Sequence, residues 1–168
     1  MYALTEANRE YLKEWLPWLN HSKSEDDTKS FIKSTMQQFS DDLGFQVAIL
    51  FNNKIVGITG FHPINKVNHY GSLGYWLSKD HQGCGLMTKA NAKIIELGFK
   101  DLGLNKIIIP CAFDNKKSRA VAVRLGLKQD GVLRQHEWLY DRYVDIVIYS
   151  ILKSEFNMWV GLNAVKDY

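Results

Sequence analysis

LGYWLSKDHQGCGLMTKA, residues 73–90, is the stretch on which the reading of the whole chain turns. Residues 73–78 read as a strand, a polar turn follows, then the loop Gly83-Cys84-Gly85, and from Met87 or Thr88 a helix is expected to run to about Asp101. Glycines just before a helix let a ligand approach the backbone. The first-turn N–H groups, which have no intrahelical acceptor, then face that ligand with the positive end of the helix dipole. Such a site takes an anion, most naturally a phosphate. A dinucleotide fingerprint needs a third glycine where Thr88 stands, and a Walker loop needs Gly-Lys-Ser/Thr, so neither pattern is met. Plain turn chemistry is the competing reading of these glycines.

Outward from this stretch, 168 residues at 46% hydrophobic and 23% charged fit one domain over 1–168, with a core to about residue 152 and a tail over 153–168. No apolar run approaches the ~20 residues that span a bilayer, and residues 1–10 lack the basic and apolar regions of a signal peptide, so a cytoplasmic protein without membrane contact is expected. The two cysteines and five histidines have no metal-ligand spacing, and none is assigned to a metal. A net charge of +3 does not argue for direct nucleic-acid binding.

Before the glycine loop, residues 3–16 read as a helix ended by Pro17, with Leu4, Tyr11, Leu12, Trp15 and Leu16 at helical spacing. A second helix is expected after Ser24, an N-cap followed by Glu25, Asp26 and Asp27, burying Phe31, Ile32 and Phe39. Tyr11, Trp15 and Trp18 fit either core packing or the wall of a substrate groove. The period then becomes strand-like, with residues 45–51, an Asn52-Asn53 turn and residues 55–61 forming a hairpin, and a third strand over about 69–78. After the long helix, residues 106–112 (KIIIPCA) read as a buried strand parallel to the previous one. A short helix capped near Asn115 or Ser118 ends at Gly126, and a hairpin pairs 131–139 with 143–152 around Tyr140-Asp141-Arg142. The last residues, with Phe156, Met158 and Trp159, read as an amphipathic tail or a partner contact.

The loop Gln82-Gly83-Cys84-Gly85-Leu86-Met87-Thr88 resembles the pyrophosphate loop of the GNAT superfamily of N-acetyltransferases, Gln/Arg-x-x-Gly-x-Gly/Ala before a long helix, with Met87 at the last position. Asn115-Lys116-Lys117-Ser118 with Arg124-Leu125-Gly126-Leu127 is similar to the Asn-x-x-Ser…LGF segment of the ribosomal-protein N-terminal acetyltransferases of RimL and RimJ type. Asn8 to Leu12, Trp15 to Trp18 and Leu73-Gly74-Tyr75-Trp76-Leu77 agree with that group. The resemblance implies an α/β (α+β) fold, a mixed, mostly antiparallel sheet of six to seven strands with a parallel central pair and about four flanking helices. Relatives normally begin with a strand ahead of the first helix, and this sequence starts almost inside that helix. Whether that strand is absent or the sequence is shortened, one strand fewer is expected, leaving an edge that a partner subunit, as in a homodimer, could cover.

The resemblance further implies transfer of an acetyl group from acetyl-coenzyme A to an amine. The backbone of Gly83, Cys84, Gly85, Leu86, Met87 and Thr88, helped by Gln82, would hold the pyrophosphate. A backbone N–H among Tyr75, Trp76 and Leu77 would polarise the thioester carbonyl. Asn115 would bond the pantetheine amides and Ser118 would protonate the departing sulfur, since Val121-Ala122-Val123 stands where many relatives carry a tyrosine. An α-amino group titrates near 7.7–8.0 and a lysine near 10.4, so neutralising them at pH 7 costs about 1 and about 4.6 kcal/mol respectively. An N-terminal amine therefore needs only a modest base, and Glu137 matches the position of the glutamate base in RimL-like enzymes; a solvated strand carboxylate is its other reading. His136, Tyr140 and Asp145 are second candidates, with His136 expected on the opposite face from Glu137. Trp15 and Trp18 would line an open peptide groove. The acceptor is a protein N-terminus, a small amine such as a polyamine, aminoglycoside or amino acid, or absent in a non-catalytic coenzyme A binding module. Cys84 reads as a small filler or a redox-sensitive cofactor contact.

Overall fold

A computed structural model of the chain describes residues 1–156. It opens with α1 (Tyr2–Ala7) and α2 (Arg9–Lys13), a 3-10 turn over Pro17–His21, and α3 (Glu25–Ser40). The strands β1 (Gln46–Phe51), β2 (Lys54–Phe61) and β3 (Tyr70–Leu77) form an antiparallel meander. Then come α4 (Leu86–Lys100), β4 (Lys106–Ala112), α5 (Lys116–Arg124), the hairpin β5 (Lys128–Leu139) and β6 (Arg142–Leu152), and α6 (Lys153–Phe156). The described strands make one six-stranded sheet in the order β1-β2-β3-β4-β6-β5, parallel only between β3 and β4. This is the mixed sheet expected, with the lower strand count and a helix as its first element.

Register divides the sheet into two faces. Leu73 on β3, Ile107, Ile109 and Cys111 on β4, and Val147, Tyr149 and Ile151 on β6 belong to the large core, together with Ala92, Ile95 and Phe99 of α4 and Val121 and Ala122 of α5. Burying each of the larger side chains contributes about 1.5–3 kcal/mol. Gly98 lets α4 come close, since a Cβ there would lie 2.8 Å from Ile107 Cδ1 and Phe61 Cζ. A hydrogen bond from Thr59 Oγ1 to Asn91 Oδ1, 2.6 Å, ties β2 to α4 inside that core. On the opposite face Ile58 and its cross-strand partner Trp76 pack with Leu12 and Leu19 of the N-terminal segment.

Three local expectations are corrected. The first helix is broken at Asn8, whose side chain donates from Nδ2 to the Leu4 carbonyl (2.9 Å) and accepts the Lys79 N–H on Oδ1 (2.8 Å); a side chain that bonds the backbone competes with the helical ladder. In α3 the Ser24–Asp27 capping box is present, but Phe31, Ile32 and Phe39 are 42%, 40% and 67% exposed. Helical spacing says which side chains share a face, not whether anything covers that face. Finally α4 starts at Leu86 because Gly85, at φ +72°, serves as its N-cap in the left-handed region. At the other end, Phe156 packs on Phe99 with ring centroids 5.1 Å apart. Met158, Trp159 and the rest of 157–168 lie outside the described residues.

Candidate active site

Pairing between β3 and β4 stops after Ser72 and Ile108, although both strands continue to Leu77 and Ala112. The sheet therefore forks at the carboxyl ends of its parallel pair. On β3, Ser78 N–H donates to Val56 and the Ser72 carbonyl accepts from His62, so even-numbered residues turn their backbone to β2. By alternation the N–H groups of Tyr75 and Leu77 point into the fork, where no described strand meets them. Trp76 is different: its backbone faces Ile58, and its side chain is buried in the smaller core.

The glycine loop lies just beyond β3. Gly83 and Gly85 have φ of +79° and +72°, and a Cβ at either would meet no heavy atom within 4 Å, so the loop is open to a ligand. Cys84, at its crest, is exposed and makes only a weak contact to the Gln82 carbonyl, so it is not a packing filler. The first helical bond of α4 runs from Lys89 N–H to Gly85, leaving the N–H groups of Leu86, Met87 and Thr88 ahead of the ladder. Met87 sends its side chain into the large core, so its bulk stays away from the loop surface. Gln82 is held at both ends, donating from Nε2 to the Tyr11 hydroxyl and accepting on Oε1 from Lys117 Nζ at 2.9 Å.

Across the fork, Asn115 caps α5 by accepting the Ser118 N–H on Oδ1, 3.0 Å. Ser118 Oγ donates to the Tyr75 hydroxyl at 3.1 Å, and that hydroxyl donates to the Ser118 carbonyl at 3.1 Å. Cys111 Sγ lies 3.2 Å from Ser118 Oγ. Burial pushes the Tyr75 hydroxyl far above the ordinary phenol range, with the neighbouring Cys111 adding to the shift. Burial likewise raises the Cys111 thiol. Both shifts favour the neutral form, so Cys111 is not a thiolate nucleophile.

Glu137 is reached through β6. It pairs with Val144, next along from Ile146, which pairs with Ala112 at the end of β4. That row belongs to the face opposite the large core, so Glu137 lies one row beyond the end of β4, two strands along the sheet, on the other face from Tyr75 and Ser118. It is half-buried, and burial raises its carboxyl above the usual carboxylate value. A bulge between Leu133 and Glu137 contains exposed His136 and is held by Asp145 Oδ1, which accepts the Gln135 N–H at 2.8 Å. Asp145 is thus occupied structurally. Tyr140, at the hairpin tip, donates to the Leu16 carbonyl at 2.6 Å, joining the hairpin to the segment that carries Trp15 and Trp18. Trp15 is partly buried and Trp18 is 38% exposed, so Trp18 is not a core residue.

The forked sheet thus carries a glycine-loop helix on one face and a half-buried carboxylate on the other. The family model described as "Acetyltransferase (GNAT) domain" matches residues 2–128. The chain belongs to the GNAT acetyltransferase family. Among curated relatives, YdaF of Bacillus subtilis (strain 168), provisionally named a ribosomal N-acetyltransferase, is 32% identical over 155 residues, 92% of this chain and 83% of that one. The ribosomal-protein-serine acetyltransferase of Escherichia coli (strain K12) is 29% identical over 150 residues, 89% and 84% of the two chains. Among solved structures, the microcin C7 self-immunity acetyltransferase MccE in complex with acetyl-CoA and AMP superposes with a TM-score of 0.85 at 32% identity, over 90% of this chain and 84% of that one. The protein is accordingly an acetyl-CoA-dependent N-acetyltransferase, and its GNAT fork fits the donor: the glycine loop is open, and backbone donors of β3 are without strand partners. Sequence reasoning named Tyr75 for its backbone only; its hydroxyl on Ser118 depends on a contact across 43 positions that no local pattern encodes. Tyr11, Lys117 and Arg124, the residues that hold the loop from outside, were not singled out for it either. Lys117 and Arg124 lie in or beside the quoted Asn-x-x-Ser…LGF segment, which is the signal that was there to follow.

Proposed function

We propose that the protein acetylates the α-amino group of a protein N-terminus, of ribosomal-protein type, in the cytoplasm. Acetyl-coenzyme A, when bound, supplies the acetyl group as an activated thioester. Gly83 to Thr88 would hold the pyrophosphate through backbone N–H groups, and Asn115 the pantetheine. Tyr75 or Leu77 would direct an N–H at the carbonyl oxygen that gains charge, a placement worth a few kcal/mol. Glu137 would take the proton from the incoming amine, and Ser118, oriented by Tyr75, would give one to sulfur.

The observation that supports this reading is the position of Glu137, on the opposite face from Tyr75 and Ser118 and one row beyond the end of β4, with its carboxyl raised by burial. A raised carboxylate is closer in basicity to an α-amine, and so a better match to an acceptor that needs little help than to a lysine. Exposed Trp18 supports an open peptide groove. The names of YdaF and the Escherichia coli relative support the ribosomal-protein class. The likeness to MccE, solved with AMP, favours a small-molecule acceptor as the second reading. For a protein partner, the open edge of β1 and the uncovered apolar face of α3 support self-association as a homodimer.

The test is acetyl-coenzyme A consumption against peptides beginning with Ser, Ala or Asp, beside spermidine and an aminoglycoside, in wild type and Glu137→Gln. Peptide-selective turnover that drops at least about tenfold in the variant is expected. Turnover with the small amines alone would move the acceptor to that class, and coenzyme A binding without any turnover would revert the chain to a binding module.

A further inference from the structure

The sequence of α5, KKSRAVAVR, carries Lys116, Lys117, Arg119 and Arg124 and no acid. These cations have different surroundings. Arg119 is committed, donating to the Tyr149 hydroxyl (3.1 Å) and the Phe113 carbonyl (2.9 Å), with its guanidinium 5.0 Å from the centroid of the Phe113 ring. Lys117 and Arg124 instead reach out of their helix to the two ends of the glycine loop. Lys117 Nζ donates to Gln82 Oε1 at 2.9 Å, immediately before Gly83, and Arg124 Nε donates to Thr88 Oγ1 at 3.3 Å, in the first turn of α4. Seven residues of helix place their stems about 10 Å apart along α5. Both side chains are exposed, and between the points they touch lie the free N–H groups of Leu86, Met87 and Thr88.

Both acceptors are neutral. An amide oxygen and a hydroxyl are poor partners for full cations compared with an ionised phosphate oxygen, whose charge-assisted bonds are roughly twice as strong. The loop itself brings only dipoles, equivalent to about half a charge at a helix N-terminus. A pyrophosphate bridge, with an ionised oxygen on each phosphorus, needs more. We propose that Lys117 and Arg124 clamp the pyrophosphate of coenzyme A from the α5 side, leaving Gln82 and Thr88 for its oxygens as the donor seats in the loop. Gln82, on this view, holds Lys117 beside the loop and, through Tyr11, keeps that end of the loop fixed. The clamp binds the donor and takes no part in the chemical step. It rests on coenzyme A recognition and is independent of which amine accepts the acetyl group.

The test is calorimetric titration of coenzyme A and 3′-dephospho-coenzyme A into wild type, Lys117→Gln, Arg124→Gln, the double variant, and Lys116→Gln, which removes a neighbouring cation of α5 that bonds nothing in the loop. The double variant is expected to weaken both ligands by the same factor, about tenfold or more, as loss of charged hydrogen bonds implies. Lys116→Gln should change either affinity less than about threefold, the range of a screened surface charge. Lys117→Arg and Arg124→Lys, which keep the charges, should recover most of the loss. Unchanged affinity in the double variant overturns the clamp. So does a loss that disappears with the dephospho ligand, which would assign the cations to the 3′-phosphate, or an equal loss in Lys116→Gln, which would reduce the effect to the general field of α5. Because binding is read without an acceptor, a wrong assignment of the peptide substrate would leave this result intact.

Discussion

Glu137 combines two properties that pull in opposite directions. Its carboxyl is raised from 4.5 by burial, so the folded state holds its proton more tightly than the unfolded chain does. Stability therefore falls as pH rises from the ordinary carboxylate value through the raised one, and above that window the desolvation cost is fully present. Glu137→Gln removes it. At pH 7 the variant is expected to melt no lower than wild type while peptide turnover drops at least about tenfold, a pattern a purely structural carboxylate would not give. Raising the assay toward pH 9 should restore part of the rate, because an α-amine near 7.7–8.0 then deprotonates without a base. On the other side of the fork, Tyr75→Phe deletes both the acceptor of the Ser118 hydroxyl and a donor to its carbonyl. Calorimetric unfolding should register a loss of about 1 kcal/mol. If Tyr75 acts by orienting Ser118, the kcat of Tyr75→Phe/Ser118→Ala will match that of the worse single variant instead of multiplying the two defects. Ser118 and Glu137 could be named from the sequence because they stand in segments that resemble a known group. What lies around them could not: the burial of Glu137 is a property of the folded chain, and the Tyr75 bond comes from the meeting of β3 with α5.

The glycine loop shows the same division one level up. Its existence and the helix after it were legible because glycine and helix-start signals are local, and the Asn52-Asn53 turn was legible for the same reason, with both residues at positive φ. The fork was not, since it depends on where the β3 and β4 register ends, a property of two strands and the helix between them. Nor was the break at Asn8, set by the Lys79 N–H that comes from across the chain, or the bare face of α3. Gly85 gives this scale its test. At φ +72°, with open space where a Cβ would go, Gly85→Asn suffers little strain, because asparagine tolerates the left-handed region better than other side chains. Its side chain would nonetheless stand on the surface that coenzyme A approaches. The melting temperature should move by no more than a few degrees, while coenzyme A affinity falls at least about tenfold. Equal affinity in the variant would mean that the ligand does not come near this part of the backbone.

Among the described residues, apolar side chains stand exposed on α3 and on the first strand. Ile32, Met36 and Phe39 recur at helical spacing along α3, with Met36 66% and Phe39 67% exposed, and Phe31 flanks them. Val47, Leu50 and Phe51 are exposed on β1, which is also an edge of the described sheet. An edge strand and an apolar helix face are each a template for association, which a second copy of the chain could cover with a self-complementary contact. Sedimentation equilibrium over a range of concentrations should then find a dimer. Met36→Lys/Phe39→Lys, which places charge on that face without disturbing any core side chain, should shift the protein to monomer. The concentration dependence of the melting temperature would vanish with it, because stability linked to association scales with protomer concentration. A wild-type protein that stays monomeric throughout, and whose double variant melts at the same temperature, would show that the α3 face is not covered by a second copy and would retire the homodimer.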